Sequence, residues 1–272
     1  MQSTSFDELL AESAFSKQSA VFDEIYAGNT IVHYKRERVR NHASQFLSPG
    51  SSILELNSGT GEDAIFFAGQ GHRVHATDLS TGMLDQLQKK VQARDLQNMI
   101  SSELCSFTAL SELRHRGPYD MIFSNFAGPN CTSQLPEVLH YLVPLLKPGG
   151  TLTLVLLPPF CLWESLLAGK GKFKTATRRW FSKNGRTARV EGQRFRCWYY
   201  APSTAINALG QAFELLDLEG LCSLVPPSYM EGFAEKHPSA YTFLKKAEDR
   251  YRRSWPWKYV GDYYIISLRK KA

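Results

Sequence analysis

A strand, a glycine-containing turn, a helix and a second strand follow one another in the segment ILELNSGTGEDAIFFAGQGHRVHATDLS, which runs from Ile53 to Ser80. Gly59 and Gly61 let a ligand approach the backbone of the turn, and the N–H groups that begin the next helix point towards that ligand. Asp78 ends the second strand, where a carboxylate can accept hydrogen bonds from both hydroxyls of a ribose. The segment therefore predicts a nucleoside-binding βαβ unit.

Strands and helices continue to alternate after this unit. Apolar runs predict strands, and apolar positions at helical spacing predict the helices between them. The predicted strands are Ile53–Leu56, Arg73–Thr77, Ile100–Leu104, Tyr119–Ser124 and the run TLTLVLL, followed by a strand near Phe213–Gly220 and the terminal run DYYIISLRK. This order predicts an α/β fold with a doubly wound, Rossmann-like sheet of seven strands. The long connection before the last strand predicts an antiparallel pair at the sheet edge.

Three units are predicted along the chain. Residues 1–47 contain amphipathic stretches and predict an N-terminal helical cap. Residues 48–157 and 198–272 form the predicted core. Residues 158–197 interrupt the alternation with an apolar piece, PPFCLWESLLAGKG, and a basic run. They predict an inserted lid over one end of the sheet.

The positive charge of the chain is concentrated in this insertion. The whole chain has a net charge of +6. The segment from Lys170 to Arg196 contains ten basic residues and one acid and so has a net charge of +9, which leaves a net charge of −3 for the rest of the chain. The chain is therefore not broadly basic, and it shows no nucleic-acid recognition module. We expect no nucleic-acid partner.

The sequence lacks the patterns that are typical of membrane, secreted and zinc-binding proteins. No run of eighteen apolar residues predicts a membrane-spanning helix, and the N-terminus lacks the pattern of a secretory signal. The five cysteines are scattered, with no CxxC pair and no Cys/His set at zinc spacing. A reduced, cytoplasmic location is the simplest expectation, and we expect no metal to be required.

Four motifs occur in an order that resembles the class I S-adenosylmethionine-dependent methyltransferases. They are ILELNSGTGEDA, VHATDLSTGMLDQLQKK, YDMIFSNF and LLKPGGTLTLVLL, and the resemblance spans residues 20–157. It implies S-adenosylmethionine as cofactor and methyl transfer as the activity. Because GTGEDA also satisfies the dinucleotide pattern GxGxx[G/A], a nicotinamide-dependent oxidoreductase is an alternative, as is an inactive methyltransferase-like binding protein.

The resemblance also implies roles for individual residues. Glu55 would orient the turn, and Asp78 would bind the ribose hydroxyls. Asn57, which stands where the family usually has glycine, would line the methionine and ribose portion together with the two turn glycines. An acid that often contacts the adenine amino group is missing after the third strand, where Cys105 and Ser106 stand instead. The full set of predicted cofactor residues is Tyr26, Glu55, Asn57, Gly59, Gly61, Asp78, Leu79, Met83, Ser106 and Asn125.

The acceptor is predicted from the insertion and from the loop after the fourth strand. An apolar stretch with Trp163, followed by the basic run with Arg178 and Arg179, suits a small amphiphilic or anionic acceptor, or a peripheral contact with an anionic membrane. An exposed basic loop has the same composition. Asn130 in the loop NFAGPNC is also expected to face the acceptor. His33, Tyr34 and His140 are candidate bases.

Overall fold

The computed structural model describes residues 6–180, 182, 184–190, 193–230 and 232–272. The strands are β1 Ser52–Leu56, β2 Arg73–Asp78, β3 Ile100–Leu104, β4 Tyr119–Ser124, β5 Leu146–Leu156, β6 Arg186–Val190, β7 Gln193–Cys197, β8 Phe213–Leu221 and β9 Tyr263–Lys270. The α-helices are α1 Phe6–Gln18, α2 Phe22–Ala27, α3 Thr30–Ser44, α4 Glu62–Gly69, α5 Thr81–Ala93, α6 Leu135–Leu142, α7 Leu162–Leu166, α8 Phe173–Ala176, α9 Pro202–Leu209, α10 Phe233–Lys236 and α11 Pro238–Tyr251.

Seven strands form one sheet in the order β3-β2-β1-β4-β5-β9-β8. The first five pair in parallel, and β9 is antiparallel to both β5 and β8. This confirms the predicted α/β class, the seven strands and the antiparallel terminal strand. The carboxyl ends of the parallel strands meet at one edge, where such sheets bind ligands.

Apolar clusters cover the two faces of the sheet. One buries Ile53, Phe67 and Leu87 with residues of α3 and α11, and the other buries Leu54 and Leu139 with residues of α9. Strands that are buried on both faces have nearly continuous apolar sequences, which explains the composition of the run TLTLVLL, which lies almost entirely in β5. Helix α6 ends at Leu142, because the ring of Pro144 cannot continue an α-helix.

The N-terminal helices and the insertion meet beside the ligand-binding edge. Helix α1 packs against α5 and against β7 of the insertion, and the rings of Phe15 and Phe195 lie 6.2 Å apart. The insertion contains α7, α8 and the antiparallel pair β6–β7, a pair that the sequence did not predict. Lys183 and Glu191 lie outside the described residues. The unit boundaries drawn from the sequence stay a prediction.

A buried ion cluster joins the insertion to the core. The Arg179 side chain is 2% exposed, and its Nη2 donates to Glu164 Oε1 at 2.7 Å and to Asp262 Oδ1 at 2.8 Å. Burial alone would raise the pKa of Glu164, but the guanidinium groups of Arg179 and Arg178 hold it below its usual value. The cluster therefore connects α7 to the residue before β9.

We predict that Arg179→Gln lowers the free energy of unfolding by about 3–5 kcal/mol, because it removes the buried cation that bonds both the Glu164 and the Asp262 carboxylates. Urea unfolding would measure the loss. Arg178→Gln is the matched control: its side chain is 46% exposed, and its exposed contact should contribute less than about 1 kcal/mol. Equal losses in the two variants would contradict a structural role specific to Arg179.

Candidate functional site

Two adjoining cavities open at the carboxyl ends of β1, β2 and β4. The first, here called the apolar cavity, has a volume of about 170 Å³ and is lined by side chains that include Leu79, Met83, Phe107 and Glu8. The second, the charged cavity, has a volume of about 300 Å³ and is lined by side chains that include Lys35, Arg36, Glu55 and Asp63. Asn57, Gly59 and Phe126 line both cavities.

The turn after β1 borders both cavities and contains three residues at positive φ. Asn57 has φ 46°, Gly59 φ 55° and Gly61 φ 79°, a region that glycine and asparagine enter more readily than other residues. Gly61 lines neither cavity. A Cβ there would lie 2.0 Å from Leu87 Cδ1, so this glycine allows the turn to pack on α5.

The Asn57 side chain holds the ends of β1 and β4 together. Its Oδ1 accepts a hydrogen bond from Ser124 Oγ at 2.6 Å, and its Nδ2 donates to the Asn125 carbonyl at 2.8 Å. A Cβ on Gly128 would lie 2.2 Å from Asn57 Cγ. Asparagine at this position therefore joins two loops as well as tolerating the turn geometry.

Asp78 is positioned by the backbone of the turn and of α5. Its Oδ2 accepts from the Gly59 N–H at 2.8 Å and its Oδ1 from the Ser80 N–H at 2.9 Å. Burial raises the pKa of this carboxyl, against the lowering effect of those two hydrogen bonds. Each oxygen retains accepting capacity, so the carboxylate suits a vicinal diol.

Glu55 brings an unsatisfied carboxyl to the charged cavity. The residue is 2% exposed, and its Oε2 has no hydrogen-bond partner among the described residues. Burial and then the nearby Asp63 raise the pKa of Glu55 well above its usual value. A buried acceptor without a partner is costly. A cationic or hydrogen-bond-donating ligand at this place would satisfy it.

Comparisons with known proteins agree with this geometry. A family profile described as a methyltransferase domain matches residues 53–150. The tRNA 5-carboxymethoxyuridine methyltransferase of Escherichia coli K12 is 25% identical over 222 residues, which cover 80% of this chain and 79% of that protein.

Solved structures share the fold. A structure from Listeria monocytogenes described as an S-adenosylmethionine-dependent methyltransferase aligns with a TM-score of 0.61 at 17% identity, covering 86% of this chain and 98% of that one. The Burkholderia thailandensis 1,6-didemethyltoxoflavin-N1-methyltransferase, with S-adenosylhomocysteine bound, aligns with a TM-score of 0.57 at 16% identity, covering 97% and 88%.

The chain contains a methyltransferase domain over residues 53–150 and has the fold of the class I S-adenosylmethionine-dependent methyltransferases. Its cofactor, S-adenosylmethionine, supplies a methyl group on a sulfonium, which is already an activated electrophile. The residues present fit this cofactor, because Asp78 offers a diol acceptor, the unsatisfied Glu55 carboxyl suits a cationic centre, and the apolar cavity suits a heterocycle. A methyltransferase rather than a nicotinamide enzyme was the leading interpretation of the sequence, and it is confirmed.

Several predicted cofactor residues of the methyltransferase lie at the cavities. Leu79 and Met83 line the apolar cavity, and Tyr26 and Asn125 line the charged cavity. The Asn125 Nδ2 donates to Asp63 Oδ2 at 2.8 Å. The role of each residue towards the cofactor stays a prediction.

Ser106 has a different position from the one expected. Its Oγ donates to Glu8 Oε2 at 2.7 Å, and Thr108 Oγ1 donates to the same oxygen at 2.7 Å. Glu8 is 2% exposed and lines the apolar cavity, whereas Ser106 does not. The N-terminal helix α1 thus places the Glu8 carboxylate beside the segment after β3, which has no acidic residue of its own at the cavity. The sequence gives no local signal for this, because 98 positions separate the two residues.

The residues predicted to face the acceptor line neither cavity. Asn130 is fully buried, and its side chain bonds the Leu157 N–H at 3.1 Å and the Trp198 carbonyl at 2.6 Å, which anchors the end of the insertion. Arg178 and Arg179 both pair with Glu164. Trp163 is half-buried. The predicted acceptor-facing position of Arg178 and Arg179 is not what the structure shows, because their charges are paired with carboxylates that the composition of the basic run does not include.

The three candidate bases also lie away from the cavity walls. His33 Nε2 lies 2.7 Å from the Ala27 carbonyl, the Tyr34 hydroxyl donates to Glu248 Oε1 at 3.1 Å, and His140 is exposed on α6. The residues that the sequence interpretation missed are Lys35 and Arg36, which α3 places in the charged cavity. Their place in the run HYKRERVR gave no sign that these two cations would line the cavity.

We predict that Asp78→Ala weakens binding of S-adenosylhomocysteine at least about tenfold, because hydrogen bonds to a charged group contribute roughly 1.5–3 kcal/mol each. Calorimetric titration measures the change, and circular dichroism checks the fold. Asp85→Ala, at an exposed position of α5, is the matched control. Unchanged affinity in a natively folded Asp78 variant would remove Asp78 from the ribose site.

We predict that the Glu8 carboxylate accepts a hydrogen bond from the adenine amino group. Wild-type protein should then prefer S-adenosylhomocysteine to S-inosylhomocysteine, which has an oxygen in place of that amino group, by about tenfold or more. Glu8→Gln should largely remove the preference, since an amide can also donate. Competition binding measures the ratio, with Glu24→Gln, exposed on α2, as control. A preference that survives Glu8→Gln would contradict this role.

Proposed function

We propose that the methyltransferase acts on a small acceptor that carries an anionic group, held by Lys35 in the charged cavity. One observation carries this proposal: a buried ammonium group lines the cavity without a close carboxylate. The Lys35 side chain is 3% exposed, and its nearest described carboxylate, that of Asp262, lies 3.9 Å from Nζ. A charge-assisted hydrogen bond is normally about 2.7–2.9 Å long.

A hydroxyl and two aromatic rings surround the Lys35 ammonium group, and no described carboxylate lies within hydrogen-bond distance of it. Its Nζ donates to Ser228 Oγ at 2.8 Å and lies 4.6 Å from the Tyr263 ring centroid and 5.7 Å from that of Phe126. The closest carboxylate, Asp262, is instead bonded to Arg179. Because an ammonium has three donors, an anionic acceptor group would complete its shell.

Arg36 is assigned to the cofactor rather than to the acceptor. Its Nε is buried without a hydrogen-bond partner among the described residues, and it lies 3.8 Å from Asp63 Oδ1. That oxygen is taken by Arg40 Nε at 2.6 Å. Arg36 lines the cavity together with Thr60 of the turn and Glu62 of α4. We infer that it binds the carboxylate of the methionine portion of S-adenosylmethionine.

Aromatic side chains enclose the place between the two cations. Phe126 borders both cavities, and Phe15, Phe22 and Tyr26 line the charged cavity from the N-terminal helices. These rings would exclude water from the transferring methyl group and orient the acceptor. Burial, and then Asp262, raise the pKa of Tyr263 well above its usual value, so its hydroxyl stays protonated and can orient an acceptor oxygen by donating to it.

A second candidate acceptor is a carboxyl-bearing nucleoside in RNA. The Escherichia coli relative is named as a methyltransferase of tRNA 5-carboxymethoxyuridine, and it aligns over most of both chains. Lys172, Lys174 and Arg194 of the insertion are exposed and would suit a phosphate backbone. Both candidates share an anionic group at Lys35, and they differ in what surrounds it.

Two variants test the proposal. Lys35→Met should keep S-adenosylhomocysteine affinity within about twofold and lower acceptor methylation at least tenfold, because it removes a hydrogen bond to a charged group. Arg36→Gln should weaken S-adenosylhomocysteine at least tenfold but leave 5′-methylthioadenosine, which has no carboxylate, unchanged. Lys89→Met, exposed on α5, is the control.

Labelled methyl transfer into fractionated host extract identifies the acceptor class. Label in small organic acids supports the first candidate, label in RNA the second, and label in lipids the amphiphilic acceptor expected from the sequence. Full methylation of the natural acceptor by Lys35→Met would overturn the role of Lys35. Label confined to uncharged molecules would overturn the proposed acceptor chemistry.

A further inference from the structure

Three potential metal ligands converge at the sheet edge, apart from both cavities. His75 lies on β2, Glu103 on the edge strand β3, and His115 in the segment before β4. None of the three lines the apolar or the charged cavity. They stand 28 and 12 positions apart in the chain, a spacing that matches no sequence motif for a metal site.

The distances within this cluster suit a tetrahedral ion. Glu103 Oε2 lies 3.2 Å from His75 Nε2 and 3.7 Å from His115 Nδ1, and the three ligand atoms all lie within 4.8 Å of one another. Zinc bonds of about 2.0–2.2 Å in a tetrahedron place neighbouring ligand atoms about 3.4 Å apart. The observed separations lie on either side of that value.

Neighbouring groups orient two of the ligands. His75 Nδ1 lies 2.8 Å from Ser101 Oγ, which directs Nε2 towards Glu103. Glu103 Oε1 accepts from the Arg114 N–H at 2.9 Å, which leaves Oε2 facing the histidines. Such outer hydrogen bonds fix the tautomer of a metal-bound histidine and the orientation of a metal-bound carboxylate.

A groove of about 570 Å³ leads to the cluster. It is lined by His75, His115, Arg114, Arg116 and Tyr119. The His115 side chain is 69% exposed and that of His75 is 5% exposed, so the cluster is anchored on one side and open on the other. Two histidines and one carboxylate with an open fourth position form a known zinc ligand set.

We propose that His75, Glu103 and His115 bind Zn²⁺, with the fourth position open to the groove. The ion would link β2, the edge strand β3 and the segment before β4. Water or a small anion would complete its coordination, and the adjacent Arg114 and Arg116 favour an anion. The proposal does not depend on the acceptor, because the cluster is separate from both cavities.

The test uses tag-free, chelator-treated full-length protein titrated with Zn²⁺ and, as a spectroscopic probe, Co²⁺. We expect one equivalent of Zn²⁺ to bind with a dissociation constant below about 10 µM (roughly −7 kcal/mol), and Co²⁺ to give visible absorption typical of a tetrahedral site. Glu103→Gln and His115→Ala should each weaken binding at least tenfold. Ser101→Ala should weaken it about tenfold through the tautomer of His75.

His140→Ala, at an exposed histidine of α6, is the matched control and should bind as the wild type does. His115 is exposed, so its variant remains informative even where changes at buried His75 affect folding. Zn²⁺ binding that is absent, or that survives both Glu103→Gln and His115→Ala, would overturn the site and leave a hydrogen-bonded cluster. S-adenosylhomocysteine affinity should be unchanged in all these variants, which separates this result from the proposed function.

Discussion

The Asn57 side chain ties the end of β1 to the end of β4, two strands already paired through their backbones, and both cavities lie against this connection. The amide oxygen of Asn57 accepts a hydrogen bond from the Ser124 hydroxyl, and its amide nitrogen donates a hydrogen bond to the Asn125 carbonyl. Gly128 packs against the same side chain with no room for a Cβ. A glycine at position 57 would satisfy the backbone of the turn but would remove both hydrogen bonds. This departure from the usual family pattern therefore has a structural reason in this chain.

The N-terminal helices complete the site rather than merely covering it. Helix α1 supplies Glu8, α2 supplies Tyr26, and α3 supplies Lys35 and Arg36. Asp23 of α2 also accepts a hydrogen bond from Thr60 Oγ1 at 2.7 Å, which ties the cap to the turn. The parallel sheet offers the diol acceptor and the turn. The cap contributes charged side chains to the walls of both cavities, so under the proposed function we expect changes in the cap to alter specificity.

Two arginines of the insertion are paired with carboxylates inside the protein. Arg178 and Arg179 pair with Glu164 of α7, and Arg179 also pairs with Asp262. A buried pair that loses one partner costs more than an exposed pair contributes, so these arginines hold the insertion in place. Described cations that remain exposed, such as Lys172, Lys174 and Arg194, are the ones available to a partner. None of the helices among the described residues has the length and apolar character to span a bilayer.

The sequence by itself determined the sheet, the turn and the cofactor class, because each depends on neighbouring residues. The spacing of apolar residues and the length of each apolar run identify the strands. Two glycines at a short spacing form the turn, and Asp78 ends the next strand. Only the tertiary structure decided which charges face a ligand. Lys35 and Arg36 point into a cavity and Arg179 is buried in an ion cluster, although all three belong to basic runs. Glu8 meets Ser106, and His75 meets Glu103 and His115, across separations that no local pattern encodes. The physical reason is that burial and pairing depend on the partner brought from elsewhere in the chain, and composition records the charge but not its partner.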